Sequence, residues 1–372
     1  MSRKPQDKQR PGKPRRNCPR HPERVFLRGM AAGLWRLAVV CLFAGGALGA
    51  ASNPAPADAQ TARVVVVRDD GATVALQPEP EVVRRMVDRG VMALTRQPNP
   101  RAAWLSLVST QDTVGLKVFS LPGPLSGTRP AVAAAVAGGL MEAGIPPERI
   151  FIWDKDARHL ASAGYYALGR QLGVQVEAVS EQGYDETKTY ERALIGNLLW
   201  GDYEFGKKGE GVGRRSFAAK LVTRKLTRII NLTPLLNHNE AGVTGHLYSL
   251  ATGSMDNTLR FESNPLHLAE AVPEIYALEI LGDRVALNIT DALICQYQGE
   301  NRTLLHYATV LNELRFSRDP VALDTLALAD LEQQRQRFGA PARKLKGELL
   351  HNASLLWLGV SDRTRITIET IP

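Results

Sequence analysis

Cysteine is scarce: the 372 residues hold three, Cys18, Cys41 and Cys295. The first two fall in an N-terminal stretch with the character of a leader, so the rest keeps one thiol and forms no internal disulfide. One thiol is too few for a cysteine-ligated iron–sulfur cluster, and no haem-attachment spacing is present. Cys295 lies in "ALNITDALICQY" (286–297), beside a predicted strand, and reads as a buried structural thiol. "LAVVC" has no small residue ahead of Cys41, which argues against a lipoprotein signal. Internal repeats are missing as well, which excludes a solenoid.

A surplus of one charge is missing once the leader is set aside. The whole chain carries 46 Lys+Arg and 38 Asp+Glu, but residues 1–59 hold 11 of the bases and 3 of the acids, leaving 35 of each. The basic pI of the chain therefore belongs to the leader, and the remainder has no basic excess with which to bind nucleic acid. A long apolar run is also lacking. The apolar run "LAVVCLFAGGALGAAS" (Leu37–Ser52) is short of the ~20 residues of a membrane span and rich in Gly and Ala.

What is there begins with that leader. Residues 1–36 are rich in Arg, Lys and Pro; followed by the apolar run and the small-residue sites at Ala47–Ala51 and Ala57–Ala59, they read as an export signal. An uncleaved N-terminal anchor is the competing reading. "ERVFLRG" (Glu23–Gly29) resembles a twin-arginine export signal, with Glu23 where the first arginine would stand. Residues 1–59 are thus expected to be signal and linker, and 60–372 a single exported domain. Any membrane contact is expected only through the N-terminal signal or anchor.

Along that domain strands alternate with helices. "RVVVVRD", "DTVGLKVF" (112–119), "RIFIWD" (149–154), "VQVEAVS", "TRIINL" (227–232), "RVALNITD" and "RTRITIET" read as strands. Helical periods fall at Pro80–Thr95, in "RPAVAAAVAGGLMEAG" with Thr128 as N-cap, near Pro265–Leu278 and in "DPVALDTLALADLEQQRQRF". The pattern predicts an α/β fold: a mostly parallel sheet with helices on both faces, in two α/β halves. The weakly periodic 181–222, with the basic patch "GKKGEGVGRRS", reads as an insertion or a solvated loop.

Ligands in such folds sit beyond the carboxyl ends of the strands. Lys117 is a charge inside an apolar strand, where it either binds something or reaches the surface. The Ser126–Thr128 loop precedes a helix and would present backbone N–H groups to an anion, or is an ordinary capped turn. Asp154 and Asp291 end strands, where a carboxylate binds a metal or ribose, or caps the next helix. The stretch "IINLTPLLNHNEAGVTGHLYSLATG" (229–253) then follows a strand with His238, Asn239, Glu240, Gly242, Thr244, Gly245 and His246. Eight residues separate the two histidines, which is not a zinc spacing. The run lines a ligand crevice or is a buried hydrogen-bond network locking a loop.

The pieces "VGLKVF", "GTRPAVAAAVAGGLMEAGI", "RIFIWD", "IINLTPLLNHNEAGVTGHLYSLATGSMDN", "LNITDAL", "FSRDPVALDTLALADL" and "LGVSDRTRITIE", in that order, resemble the domain-of-unknown-function 362 family over about 113–368. Its pattern has a lysine before the histidine and a Lys-Asn pair further on. Lys117, His238, Thr244, Gly245, Asp319, Pro320 and Asp324 fit, while Asn237 and Tyr248-Ser249 stand where the family has Lys and Lys-Asn. The charged and polar residues at the strand ends point to a site for a small polar or anionic ligand; without the two lysines of the family pattern, that ligand is less anionic than in other members, or the activity is lost. In the enzyme reading, His238 is the general acid or base and Lys117 an electrostatic clamp. Asp291, Asp319 or Asp324 then orients the histidine or holds a divalent metal. Ser126, Thr128, Asn239, Thr244, Gly245, His246 and Asp291 would bind the ligand. A non-catalytic binding or accessory protein using the same crevice is the alternative.

Overall fold

A computed structural model of the protein describes residues 60–192, 213–340 and 347–372. The leader and residues 206–212 of the basic patch lie outside the described residues. Asp58–Pro372 forms one compact unit.

The chain enters through β1 (Ala62–Arg68), a small hairpin of β2 (Thr73–Val74) and β3 (Gln77–Pro78), α1 (Pro80–Thr95) and α2 (Pro100–Leu105). Then come β4 (Val114–Lys117), α3 (Pro130–Ala143), β5 (Ile150–Asp154), α4 (Ala157–Ser162), α5 (Tyr165–Leu172), β6 (Gln175–Ala178) and α6 (Val179–Gln182). A separate antiparallel pair, β7 (Tyr184–Glu191) and β8 (Arg215–Ala219), follows. The second half has β9 (Arg228–His238), β10 (Gly242–Val243), α7 (His246–Ser254), α8 (Leu259–Glu262), α9 (Pro265–Tyr276), β11 (Val285–Gln296) and β12 (Ala308–Ser317). It ends with α10 (Pro320–Arg337), α11 (Glu348–Leu355) and β13 (Ile366–Ile371).

A single sheet runs through both halves in the order β13-β1-β12-β11-β9-β4-β5-β6, with β10 folded back on β9. β11, β9, β4, β5 and β6 are parallel neighbours, and β13 is parallel to β1. β12 is antiparallel to both β1 and β11. The sheet is therefore mostly parallel, as expected; β12 and the short β10 are strands of it that sequence reading missed, and β7 and β8 fall in the stretch 181–222 that was read as an insertion or solvated loop.

Strand alternation divides the residues between two covered faces. Val114, Leu116, Ile150, Ile152, Ile230, Leu232, Leu287 and Ile289 face one core with Val83, Met86 and Val87 of α1, Trp104 of α2 and Leu140 of α3. Their neighbours Trp153 and Ile229 face the other core, with Leu247 and Leu250 of α7, Val272 of α9 and Leu350 of α11. Helices thus close both faces, as near-continuous apolar strands require.

One row on the second face is polar. Register places Lys117 opposite Asn231, Asn231 opposite Asn288, and Asn288 opposite Ser317, so four strands give one polar rib. Each of the four side chains is buried. Two residues along, Thr233 of β9 stands opposite Thr290 of β11. Buried polar groups need partners, and the element that supplies them is α7.

Candidate functional site

β9 does not stop at Leu232; it runs on to His238 and turns through Gly242 into β10, so Asn237 and His238 are strand residues rather than loop. The next residues, expected as crevice lining, form α7, and Tyr248, Ser249, Thr252 and Gly253 of that helix do line a cavity. Its first turn is capped from α10: Asp324 Oδ1 accepts the N–H of His246 at 2.7 Å and Oδ2 that of Leu247 at 3.1 Å. Gly245 permits this, since a Cβ there would lie 2.2 Å from Asp324 Oδ1. His246 inserts its ring between the threonines, with Nε2 3.2 Å from Thr233 Oγ1 and 2.9 Å from Thr290 Oγ1, while its carbonyl accepts Asn231 Nδ2. Burial pushes its pKa down to about 3 and that of the Asp324 carboxyl up to about 7.

Lys117 seats the other end of α7. Its ammonium donates to the Val118 carbonyl at 2.7 Å, to Asp154 Oδ1 at 3.0 Å and to Ser249 Oγ at 3.0 Å. All three ammonium donors are used. A Cβ on Gly253 would fall 2.3 Å from Lys117 Cε, so the helix approaches the lysine this closely because residue 253 has no side chain. Asp154 also accepts Lys155 N–H, Ser120 N–H and Ser120 Oγ–H, for four donors in all. Burial works against the charged form of each partner: it lowers the Lys117 pKa against the pull of Asp154. The Lys117 charge and the Ser120 donors nevertheless hold Asp154 below the usual carboxylate range.

The remaining sequence-nominated residues fall into separate structural groups. His238 Nδ1 accepts the N–H groups of Glu240 (3.2 Å) and Ala241 (3.0 Å), which puts its proton on Nε2. The ring packs 4.3 Å from Tyr248, and burial pushes its pKa down to about 4. Asn239 donates its N–H to the Glu300 carboxylate, and Thr244 bonds the Asn237 carbonyl. Ser126 donates to Gln296 Oε1, and Thr128 joins Phe119 N–H to the Leu232 carbonyl. Arg129, not Thr128, is the N-cap of α3, and it forms a buried ion pair with Asp291 at 2.8 Å while its N–H meets the other Asp291 oxygen. Asp319 caps α10 through Ala322 N–H and holds Val360 N–H with its second oxygen. Asp319 and Asp324 thus spend both oxygens on backbone donors. Among the described residues no group of three or more His, Cys, Asp or Glu side chains could hold a metal ion.

One cavity does open beyond the carboxyl ends of β4, β5 and β6. It encloses about 650 Å³. Asp154, Lys155 and Asp156 of the β5 end form one wall, Tyr248, Ser249, Thr252 and Gly253 of α7 another. Asp256, Asn257, Thr258 and Glu262 after α7 close a third side, and His159, Tyr184 and Asn301 complete the rim. Of the nominated residues Asp154 lines it, and Lys117 reaches it from beneath, through Asp154 and Ser249. His238 touches it indirectly, by packing on Tyr248. Sequence reading missed Asp156, His159, Asp256 and Glu262; the signals for the first three were the polar clusters "DKDARH" and "SMDNT", each at the end of a regular element.

A family model, the domain of unknown function DUF362, matches residues 116–329. The chain belongs to the DUF362 family. The match begins inside β4 and ends inside α10, so the DUF362 span contains every residue lining the cavity and every contact that seats α7. Outside it lie β1, α1, α2, α11 and β13. No curated protein matches this DUF362 chain. A crystal structure of a protein from Thermotoga maritima is similar at 11% identity and a TM-score of 0.40, over 72% of this chain and 60% of that one.

Proposed function

We propose that the cavity at the carboxyl edge of the sheet binds a small polar ligand that is uncharged or cationic and rich in hydrogen-bond donors, such as a polyol or an amine. The charge of the lining carries this reading. The lining carries four carboxylates, Asp154, Asp156, Asp256 and Glu262, and the one ammonium of Lys155; Lys117 offsets Asp154 from beneath and Arg158 pairs with Asp156 at 2.8 Å, which still leaves acid in excess. Carboxylates only accept hydrogen bonds, so a bound group beside them must donate. Phe119, Tyr184 and Tyr248 supply flat apolar surface for the ligand's carbon skeleton. An anion would meet the wrong sign of charge. The saturation of Lys117 favours binding over chemistry, since a lysine with three internal acceptors has no donor left to clamp a reacting group.

A catalytic reading draws on one observation, the 3.0 Å contact from the buried Lys117 ammonium to Ser249 Oγ at the cavity wall. Perturbed lysines beside a hydroxyl in a cleft mark reactive sites often enough to test. In both readings export rests on the N-terminal signal pattern, with fractionation of cells and N-terminal sequencing as the check.

Native mass spectrometry and thermal shift on residues 58–372 decide the ligand class. Polyols, monosaccharides and alkylamines are expected to raise the melting temperature of the unaltered protein and not of Thr252→Trp, which fills the cavity. Stabilisation by phosphate and carboxylates alone would remove the proposal. Turnover of a stabilising ligand that Ser249→Ala abolishes, with binding kept, would establish the catalytic reading.

A further inference from the structure

We propose that the C-terminal end of α11 and the turn that follows it, Leu355-Leu356-Trp357, dock on an anionic lipid bilayer, so that the cavity faces away from the membrane. Leu355, Leu356 and Trp357 are 65%, 44% and 75% exposed, and they are consecutive, which isolated surface apolar residues are not. Trp357 also sits at φ 61, just past the helix end, a left-handed position that glycine fills without strain. A bulky aromatic there gains nothing from packing, and an exposed Trp flanked by leucines is the side-chain set that settles at a lipid headgroup boundary.

The occupant follows from where the chain enters the domain. Leu358, next to Trp357, lines a shallow depression together with Gln60, Arg96 and Arg318. Arg365 at the foot of β13 binds the Gln60 carbonyl. In the sequence the apolar run Leu37–Ser52 ends eight residues before Gln60. Charge agrees: Arg96, Arg318 and Arg363 are exposed here, and Asp362 is the exposed acid of the same loop. Anionic headgroups attract such arginines. The geometry of the sheet then fixes the orientation. β1 is parallel to β11, β9 and β4 through β12, so Gln60 marks the amino edge of the strands, and the cavity lies at the carboxyl edge. Among the described residues no helix is long and apolar enough to cross a membrane, so the contact is superficial.

The test is flotation of residues 58–372, the compact unit that holds the whole sheet and all its cores, with phosphatidylethanolamine–phosphatidylglycerol vesicles. It is run beside a variant carrying Leu355→Ser, Leu356→Ser and Trp357→Gly. These side chains are exposed, so circular dichroism and melting are expected to show a folded variant. The unaltered domain should float and the variant should lose roughly tenfold or more in partitioning, with weaker binding of both to pure phosphatidylcholine. Brominated lipid should quench Trp357. Equal partitioning of the two proteins, or no flotation of the unaltered one, overturns the proposal. So does a lipid-free dimer that the variant abolishes, which would assign the patch to a second copy of the chain.

Discussion

Replacing Lys117 by methionine tests whether the lysine is part of the scaffold or part of a reaction. The substitution keeps the length of the side chain and removes the charge, leaving the buried Asp154 with Ser120 and the Lys155 N–H as its remaining donors. Breaking one side of a buried pair costs about 3–5 kcal/mol, because the surviving charge keeps its desolvation penalty. For a domain whose stability is about 5–15 kcal/mol this is a large share. With a urea slope of about 3 kcal/mol per molar, the midpoint should fall by about 1–1.7 M. The double variant Lys117→Met with Asp154→Asn removes both charges, and most of the loss should return. Urea titrations followed by far-UV circular dichroism read all three proteins. A midpoint that moves by less than ~0.3 M in Lys117→Met, or a double variant as unstable as the single, would refute the view that the pair holds α7 on the sheet.

Two further tests follow from the same seat. Gly245→Ala should push the Asp324 carboxylate off the first turn of α7 and cost about 2–4 kcal/mol, whereas Gly123→Ala, at φ 79 with nothing within 4 Å, should cost only about 1 kcal/mol of backbone strain; equal losses would show that the approach at Gly245 is not tight. Acid should unfold the protein through its histidines. His238 and His246 have folded pKa values near 4 and 3, below the unfolded value of about 6.5, so the stability they hold is complete above pH 6.5 and lost as pH falls toward those values. Asp324, raised to about 7, opposes them by favouring the fold as it takes up its proton. His246→Gln should therefore reduce the stability difference between pH 8 and pH 4.5 by about 3 kcal/mol, and an unchanged pH slope in the variant would contradict the burial of a neutral ring.

Much of the frame was legible because it is periodic. α1 falls at Pro80–Thr95, the range its apolar spacing marks, and β1, β4 and β5 are short, largely apolar runs bounded by turns. Two elements were hidden for opposite reasons. β12, "ATVLNELRFS", is half exposed along its first six residues and then buried on both faces, so neither alternation nor a continuous apolar run is present. α7, "HLYSLATGS", is buried all round and built from residues with modest helix propensity, so it has no polar face to set a helical period. The site was harder still. The polar rib exists only after Lys117, Asn231, Asn288 and Ser317 from four strands come into register, and nothing local to any of them announces the other three. Sequence reading found the right stretch at 229–253 and the right lysine, but the histidines it singled out serve the packing of α7.

The pairing of β1 has a consequence for how the chain comes into being. Its partners are β12 and β13, and Ser317 reaches back across 254 residues to bond the Arg63 carbonyl. At ribosomal rates of about 5–20 residues per second, the first strand waits roughly 10–50 s for its partners to be made. During that interval "VVVV" is an unpaired β-former of the kind that aggregates, and the arginines at 63 and 68 bracket it as charged gatekeepers. A nascent chain released early, lacking β12 and β13, would be left with a sticky edge at its beginning.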